Sequence, residues 1–222
     1  MSRLSRLSAL FLLICVASSA QTRRDHEPYC GAKSAKRVEL TTADTTILGL
    51  TIGRASLKDV QAKLGNATVT RVSREEESDV AACYVSPGDG TVLVFYSGSM
   101  GGWKDITWFA LWSREAAFPQ ASQCTPSELV SGNLSTKSGL RLGLSLPELK
   151  RIEGSPTKHG RKSIKYEYLC RSKMTATQIA GFKTANGWDV TKDPYFDRMS
   201  WIDVHFAKAA ASRIEVGEIE SY

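Results

Sequence analysis

The sequence predicts an α+β fold of two tandem repeats, each a short helix followed by antiparallel strands, forming a curved sheet with the helices packed on one face. Two internal sequence matches and the placement of four cysteines carry this prediction. With 222 residues, 42% of them hydrophobic, the chain is long enough to bury a core as one large domain or two small ones. Gly 17, Pro 7 and 23% charged residues exclude collagen-like, low-complexity and coiled-coil chains.

The chain opens on a predicted signal segment, residues 1–20. Arg3 and Arg6 supply a positive region, Ala9 to Val16 an apolar run, and Ala17-Ser18-Ser19-Ala20 a small-residue cleavage site. An apolar run of that length is too short to cross a bilayer, which needs about 20 residues. The mature protein is therefore expected in the periplasm or secreted, cleaved near Ala20, with no stable membrane insertion. Lipidation at Cys15 is disfavoured because bulky Ile14 precedes it. Residues 21–44 form an N-terminal segment, 45–123 the first repeat and 124–222 the second.

Each repeat begins with a capped helix. Residues 52–65 read IGRASLKDVQAKLG and residues 142–154 read LGLSLPELKRIEG. Ser56 and Ser145 stand at N-cap positions, with Asp59 and Glu148 three residues on, the spacing of a capping box. Leu57, Val60 and Leu64, and in the second copy Leu146, Leu149 and Ile152, give an apolar face at helical spacing. Gly65 and Gly154 then stop the helices, and Pro147 falls in a first turn, where its missing N–H costs little.

Strands follow. Residues 105–112 (DITWFALW) match 198–205 (RMSWIDVH), aligning Trp108 with Trp201, and both alternate as strands do. In the later segment Ile202, Val204 and Phe206 share one face, and Trp201, Asp203 and His205 share the other. Asp203 and His205 avoid burial, so the Trp201 face is expected to look outward, and by repeat symmetry Trp108 and Trp112 with it. Further strands are predicted over 91–97, 165–170 and 213–216, and a partly helical stretch over 172–190. Tyr166 and Tyr168 fit either the outward face or the core.

Four cysteines remain after cleavage: Cys30, Cys83, Cys124 and Cys170. An even number in an exported chain reads as two disulfides. Three connectivities are open, and the repeat favours Cys30 with Cys83 and Cys124 with Cys170. No CxxC and no spaced histidine pair is present, so neither a metal nor another cofactor is expected.

Removing the signal takes two arginines and no acids, leaving 27 basic against 23 acidic residues, a net charge of +4. The densest basic cluster is Lys158, His159, Arg161, Lys162 and Lys165. A solvated turn explains it better than a nucleic-acid site, and secretion argues further against nucleic acid. The acidic run Glu75-Glu76-Glu77 reads as a solvated loop.

A Gly, a capped helix written S-L-x-D/E-V/L that ends in Gly, and antiparallel strands, all of it twice, resembles the tandem-repeat fold of the β-lactamase-inhibitory proteins across residues 45–217. It is also similar to the small lipoproteins of bacterial outer-membrane assembly. The resemblance implies a sheet that presents aromatic side chains, here Trp108, Trp112 and Trp201, to a protein partner. Outward aromatic rings independently mark interaction sites, and His205 shares their face. A loop, the other repeat or a second copy covering these tryptophans is the competing explanation.

An enzyme is less expected. Ser97-Gly98-Ser99-Met100-Gly101 approaches a nucleophile elbow but has serine where the first glycine belongs. His205 and Asp203 form the one pair suited to acid/base work, and a small secreted hydrolase using them is the alternative function. Asn66-Ala67-Thr68 and Asn133-Leu134-Ser135 match the N-glycosylation pattern. The expected function is an exported, non-enzymatic binding protein that engages a macromolecular partner, an inhibitor or envelope factor.

Overall fold

The computed structural model describes residues 29–31, 39–74, 77–98, 104–186 and 189–221. The predicted signal segment lies outside the described residues. Two compact units are present. Described residues 173–186 and 189–195 belong to the smaller, and 29–172 with 196–221 contain those of the larger.

Twelve strands and three helices occur in chain order among the described residues. They are β1 Tyr29–Gly31, β2 Thr46–Ile47, β3 Leu50–Thr51, α1 Leu57–Leu64, β4 Val69–Arg74, β5 Glu77–Val85, β6 Val92–Ser97 and β7 Trp108–Trp112. The second half adds β8 Thr125–Pro126, α2 Leu146–Glu153, β9 Lys158–His159, β10 Ser163–Lys173, α3 Ala176–Asn186, β11 Tyr195–Ala207 and β12 Ala210–Ser221.

Both predicted capping boxes form. The Ser56 hydroxyl accepts from the Asp59 N–H while the Asp59 carboxylate accepts from the Ser56 N–H, and Ser145 and Glu148 repeat the exchange. Those hydrogen bonds, backbone before hydroxyl, hold both carboxyl groups below their ordinary pKa values. Gly65 and Gly154 end the helices at φ of 106° and 87°, where a side chain would strain the backbone. Each C-terminus is then fixed to the sheet by a buried tyrosine: the Tyr84 hydroxyl donates to the Gly65 carbonyl at 2.9 Å and that of Tyr166 to the Gly154 carbonyl at 3.1 Å. Burial pushes the Tyr84 phenol up to about 12, so it stays a donor at any physiological pH.

The expected fold class is nevertheless wrong. The chain is mostly antiparallel β-sheet, 44% strand against 20% helix, rather than two helix-and-strand repeats. Among the described residues ten strands join one sheet, in the order β1-β10-β11-β12-β7-β6-β5-β4, with β8 beside β5 and β9 beside β10. The halves share the capped helices, the tyrosine bonded to each helix-ending glycine, and the segments beside the helix N-termini. Ile106 N–H donates to the Ala55 carbonyl just before β7, and Ala211 N–H to the Leu144 carbonyl at the start of β12. The strand that closes over α2 is therefore β12, so the sequence match of Trp108 with Trp201 aligned β7 with a strand in a different place, β11.

One face of the sheet packs on Leu57, Val60 and Leu64 of α1 and Leu149 of α2. Phe95, Phe109, Ile202, Val204, Tyr166 and Tyr168 meet them, so the two tyrosines belong to the core. In the sheet centre both faces are covered, and β6 is buried at every position. Central strands buried on both sides read as continuous apolar runs without alternation, as in VLVFYS.

The cysteine pairing also differs from the favoured one: Cys30 bonds Cys170, and Cys83 bonds Cys124. Strand pairing dictates it. β1 lies beside β10 with Cys30 directly opposite Cys170, and β8, which follows Cys124, runs along β5 beside Cys83. The sequence boundary at 123/124 thus falls next to a disulfide inside the larger unit.

In the smaller unit, Thr175 and Gln178 cap α3 and the Met174 N–H donates to the Pro194 carbonyl at 2.8 Å. This helix lies inside the stretch predicted as partly helical.

The turn between β5 and β6 holds a titrating group of structural use. Asp89 is pushed up by partial burial, but hydrogen bonds from the Gly132 and Thr91 N–H groups and from the Thr91 and Ser86 hydroxyls outweigh this and hold it at about 2. A depressed folded-state pKa contributes stability above the unfolded value of about 3.9 that is lost as pH falls toward 2. Denaturant midpoints measured from pH 5 to pH 2 should therefore fall for the wild type, and Asp89→Asn should start lower and show a flatter acid limb.

Candidate functional site

The sheet face opposite the helices carries all four residues expected to bind a partner. Strand register sets them in rows across β11, β12, β7 and β6: Trp201–Gly217–Trp108–Tyr96, then Asp203–Glu215–Ala110–Val94, then His205–Arg213–Trp112–Val92. Alternation placed Trp108, Trp112, Trp201 and His205 on one face correctly. Their exposure, however, is unequal.

The β7 side is covered. Segment 113–126 lays Phe118, Ala121 and Cys124 over this face, and the disulfide to Cys83 fixes it there. Trp108 retains 4% exposure and stacks on Tyr96 with ring centroids 3.3 Å apart. Trp112 meets the edge of Phe118 at 5.3 Å, and the Arg213 guanidinium lies 4.4 Å from its ring centroid. The expected outward exposure of Trp108 is thus overturned: a loop buries it. Repeat symmetry misled here, because a strand beside a covering segment and a strand far from it can share one alternation pattern.

The β10–β11 side is open. Met199 is 39% exposed on β11 and Leu169 is 40% exposed on β10, with Trp201 half-buried against the edge of the covered cluster. Trp201 reaches across β12 because residue 217 is glycine: a Cβ there would overlap the indole ring. Farther along the same strand face come Asp203 and then His205, whose side chain is 40% exposed. On β10, Glu167 accepts from Lys158 at 2.6 Å and Lys165 at 2.7 Å. These two hydrogen-bonded ion pairs hold its carboxyl below the ordinary value and keep it ionised. Between the open and covered parts, Arg213 and Glu215 form an ion pair, with the Glu215 carboxylate buried.

His205 Nε2 stands 3.5 Å from Asp203 Oδ1, as expected of neighbours two apart on a strand face. Among the described residues no hydroxyl or thiol hydrogen-bonds the imidazole. The neighbouring Ser212 hydroxyl donates instead to the His205 backbone carbonyl at 3.2 Å. Ser97, of the elbow-like segment, is buried at the end of β6, and Ser99 to Gly101 lie outside the described residues. Glu75 and Glu76 also lie outside them, while Glu77 opens β5 rather than sitting in a loop.

The described residues hold one grouping of possible metal ligands, Cys30, Glu39 and Cys170, but both sulfurs are joined in a disulfide and Glu39 pairs with Arg198. A disulfide sulfur lacks the thiolate charge a metal requires. Asn66 and Asn133 of the glycosylation patterns are both exposed.

Sequence reasoning missed Tyr96, Phe118, Met199, Leu169 and Gly217. Met199 precedes Trp201 by two residues, so alternation pointed to it; Phe118 carried no local signal, since its position depends on a disulfide partner 41 residues from Cys124. Among the described residues no helix is long and apolar enough to cross a membrane. The two disulfides fit an extracellular or periplasmic protein. Comparison with protein-family models, curated proteins and solved structures gave no significant match, and so lends no support to the resemblance drawn from the capped helices.

Proposed function

We propose that this chain is an exported, non-enzymatic protein that binds a macromolecular partner, a protein, through the open part of its outer sheet face. The observation that carries the reading is the apolar group of exposed Leu169 and Met199 with half-buried Trp201, standing on paired strands beside Lys165, Glu167, Asp203 and His205. Apolar side chains rimmed by charges on a rigid support have the composition of an interface core and rim. A tryptophan at such a site commonly supplies a large part of the binding energy. Trp108 leaves the contact set because its surface is already occupied, and Trp112 serves mainly to seat Arg213 and Phe118.

An inhibitor or an envelope factor both fit this reading. The hydrolase alternative has Asp203 and His205 in contact but, among the described residues, lacks a nucleophile on the imidazole.

The test places a photo-crosslinking amino acid at Leu169 or His205 and, as a comparison, at Lys58 on α1, in cells that produce the protein. A discrete adduct is expected from the two sheet positions and not from Lys58. Trp201→Ala should lower affinity for the captured protein by at least about 2 kcal/mol, roughly 30-fold. Equal capture from Lys58, or an adduct indifferent to Trp201→Ala, would overturn the reading.

A further inference from the structure

The basic cluster that the sequence leaves as a solvated turn is a hairpin tip adjoining the open face. β9 and β10 pair with Lys158 opposite Lys165 and His159 opposite Ile164, and the turn is closed by the Gly160 N–H donating to the Ser163 carbonyl at 2.8 Å. The tip is fixed to the sheet: the Phe206 N–H donates to the Lys162 carbonyl at 2.8 Å, one residue from His205. Lys158 and Lys165 share Glu167. His159, Arg161 and Lys162 are exposed and, among the described residues, have no acidic partner. Two fixed positive charges and an imidazole thus project from a rigid turn.

We infer that this tip docks an acidic polypeptide segment of the partner that the open face binds. The inference rests on the proposed binding function and adds the chemistry of the partner. Charge complementarity argues for an acidic surface opposite the tip. A protein is favoured over an anionic bilayer by what lies next to the tip: Glu167 and Asp203 stand on the same face as Lys165 and His205. A uniformly anionic headgroup layer pressed against that face would meet the Asp203 carboxylate, whereas a polypeptide can present acids to the tip and donors to Asp203.

The probe is poly-L-glutamate at low salt, with phosphatidylglycerol vesicles as the second ligand. The double variant Arg161→Ala/Lys162→Ala should weaken poly-L-glutamate binding on the order of ten-fold and reduce its salt dependence. The charge-matched pair Lys58→Ala/Lys63→Ala on α1 should leave it unchanged. In the crosslinking assay the double variant should slow capture of the partner. Equal losses in the two double variants, or tighter attachment to the vesicles through the same residues, would overturn the inference. Those results leave the Trp201-dependent adduct standing, while loss of Trp201 dependence with tip binding intact would place the failure in the proposed function on which the inference rests.

Discussion

Replacing Cys83 and Cys124 together by alanine should lower the unfolding free energy by about 4 kcal/mol, and replacing Cys30 and Cys170 by about 5, in the chain-entropy treatment of loop closure. The sequence separations are 41 and 140 residues, and entropy rises slowly with loop length, so the two bonds differ little in this respect. Their local consequences differ more. The first bond holds segment 113–126 over Trp108, Trp112 and Tyr96. The second ties β1, a three-residue strand, to the outer side of β10. Chemical denaturation of the two double variants should thus show losses of similar size, but only Cys83→Ala/Cys124→Ala should red-shift the tryptophan emission of the native state. A loss near zero for that variant would mean that the cover is held by Phe118 and Ala121 packing alone.

Trp108→Ala should cost about 3–5 kcal/mol, the range for removing a buried large aromatic side chain. The ring is enclosed by Tyr96 on one strand, by the cover on the other side and by the Trp201 indole across Gly217. Little can collapse into the space, because β7 is equally committed on its opposite face through Phe109 and Leu111. Trp201→Ala should cost clearly less, since part of that ring already lies in water, yet it should remove most of the partner affinity. Denaturant midpoints for the two variants, set beside their crosslinking yields, separate a structural tryptophan from a binding one. The reverse order, with Trp201 dominating stability, would place the binding surface elsewhere.

Local chemistry was legible in the sequence where it is self-contained. Ser56 with Asp59, Ser145 with Glu148, and the two terminating glycines specify their helices within about ten residues, and the structure forms both capping boxes. Alternation likewise gave the face of Trp201, Asp203 and His205, because one side of β11 packs on the core and the other meets solvent or polar neighbours. Fold class was not legible in the same way. β4 and β5 carry Arg, Glu, Ser and Asp that resemble loop composition, and their strand state depends on the pairing of Val69–Arg74 with Glu77–Ala82 and of β5 with β6. Trp108 shows the limit most clearly: its own strand gives the face, but its burial is decided by Phe118 and Cys124, which come later in the chain and reach it only through the fold.

Hydroxyl-radical footprinting of the mature, oxidised protein tests the division of the outer face most directly. Met199 and Trp201 should oxidise readily, Trp108 should be modified at least about ten-fold more slowly, and bound partner should protect Met199 and Trp201. Trp108 reacting as fast as Trp201 in the free protein, or a partner that leaves Trp201 unprotected, would contradict that division.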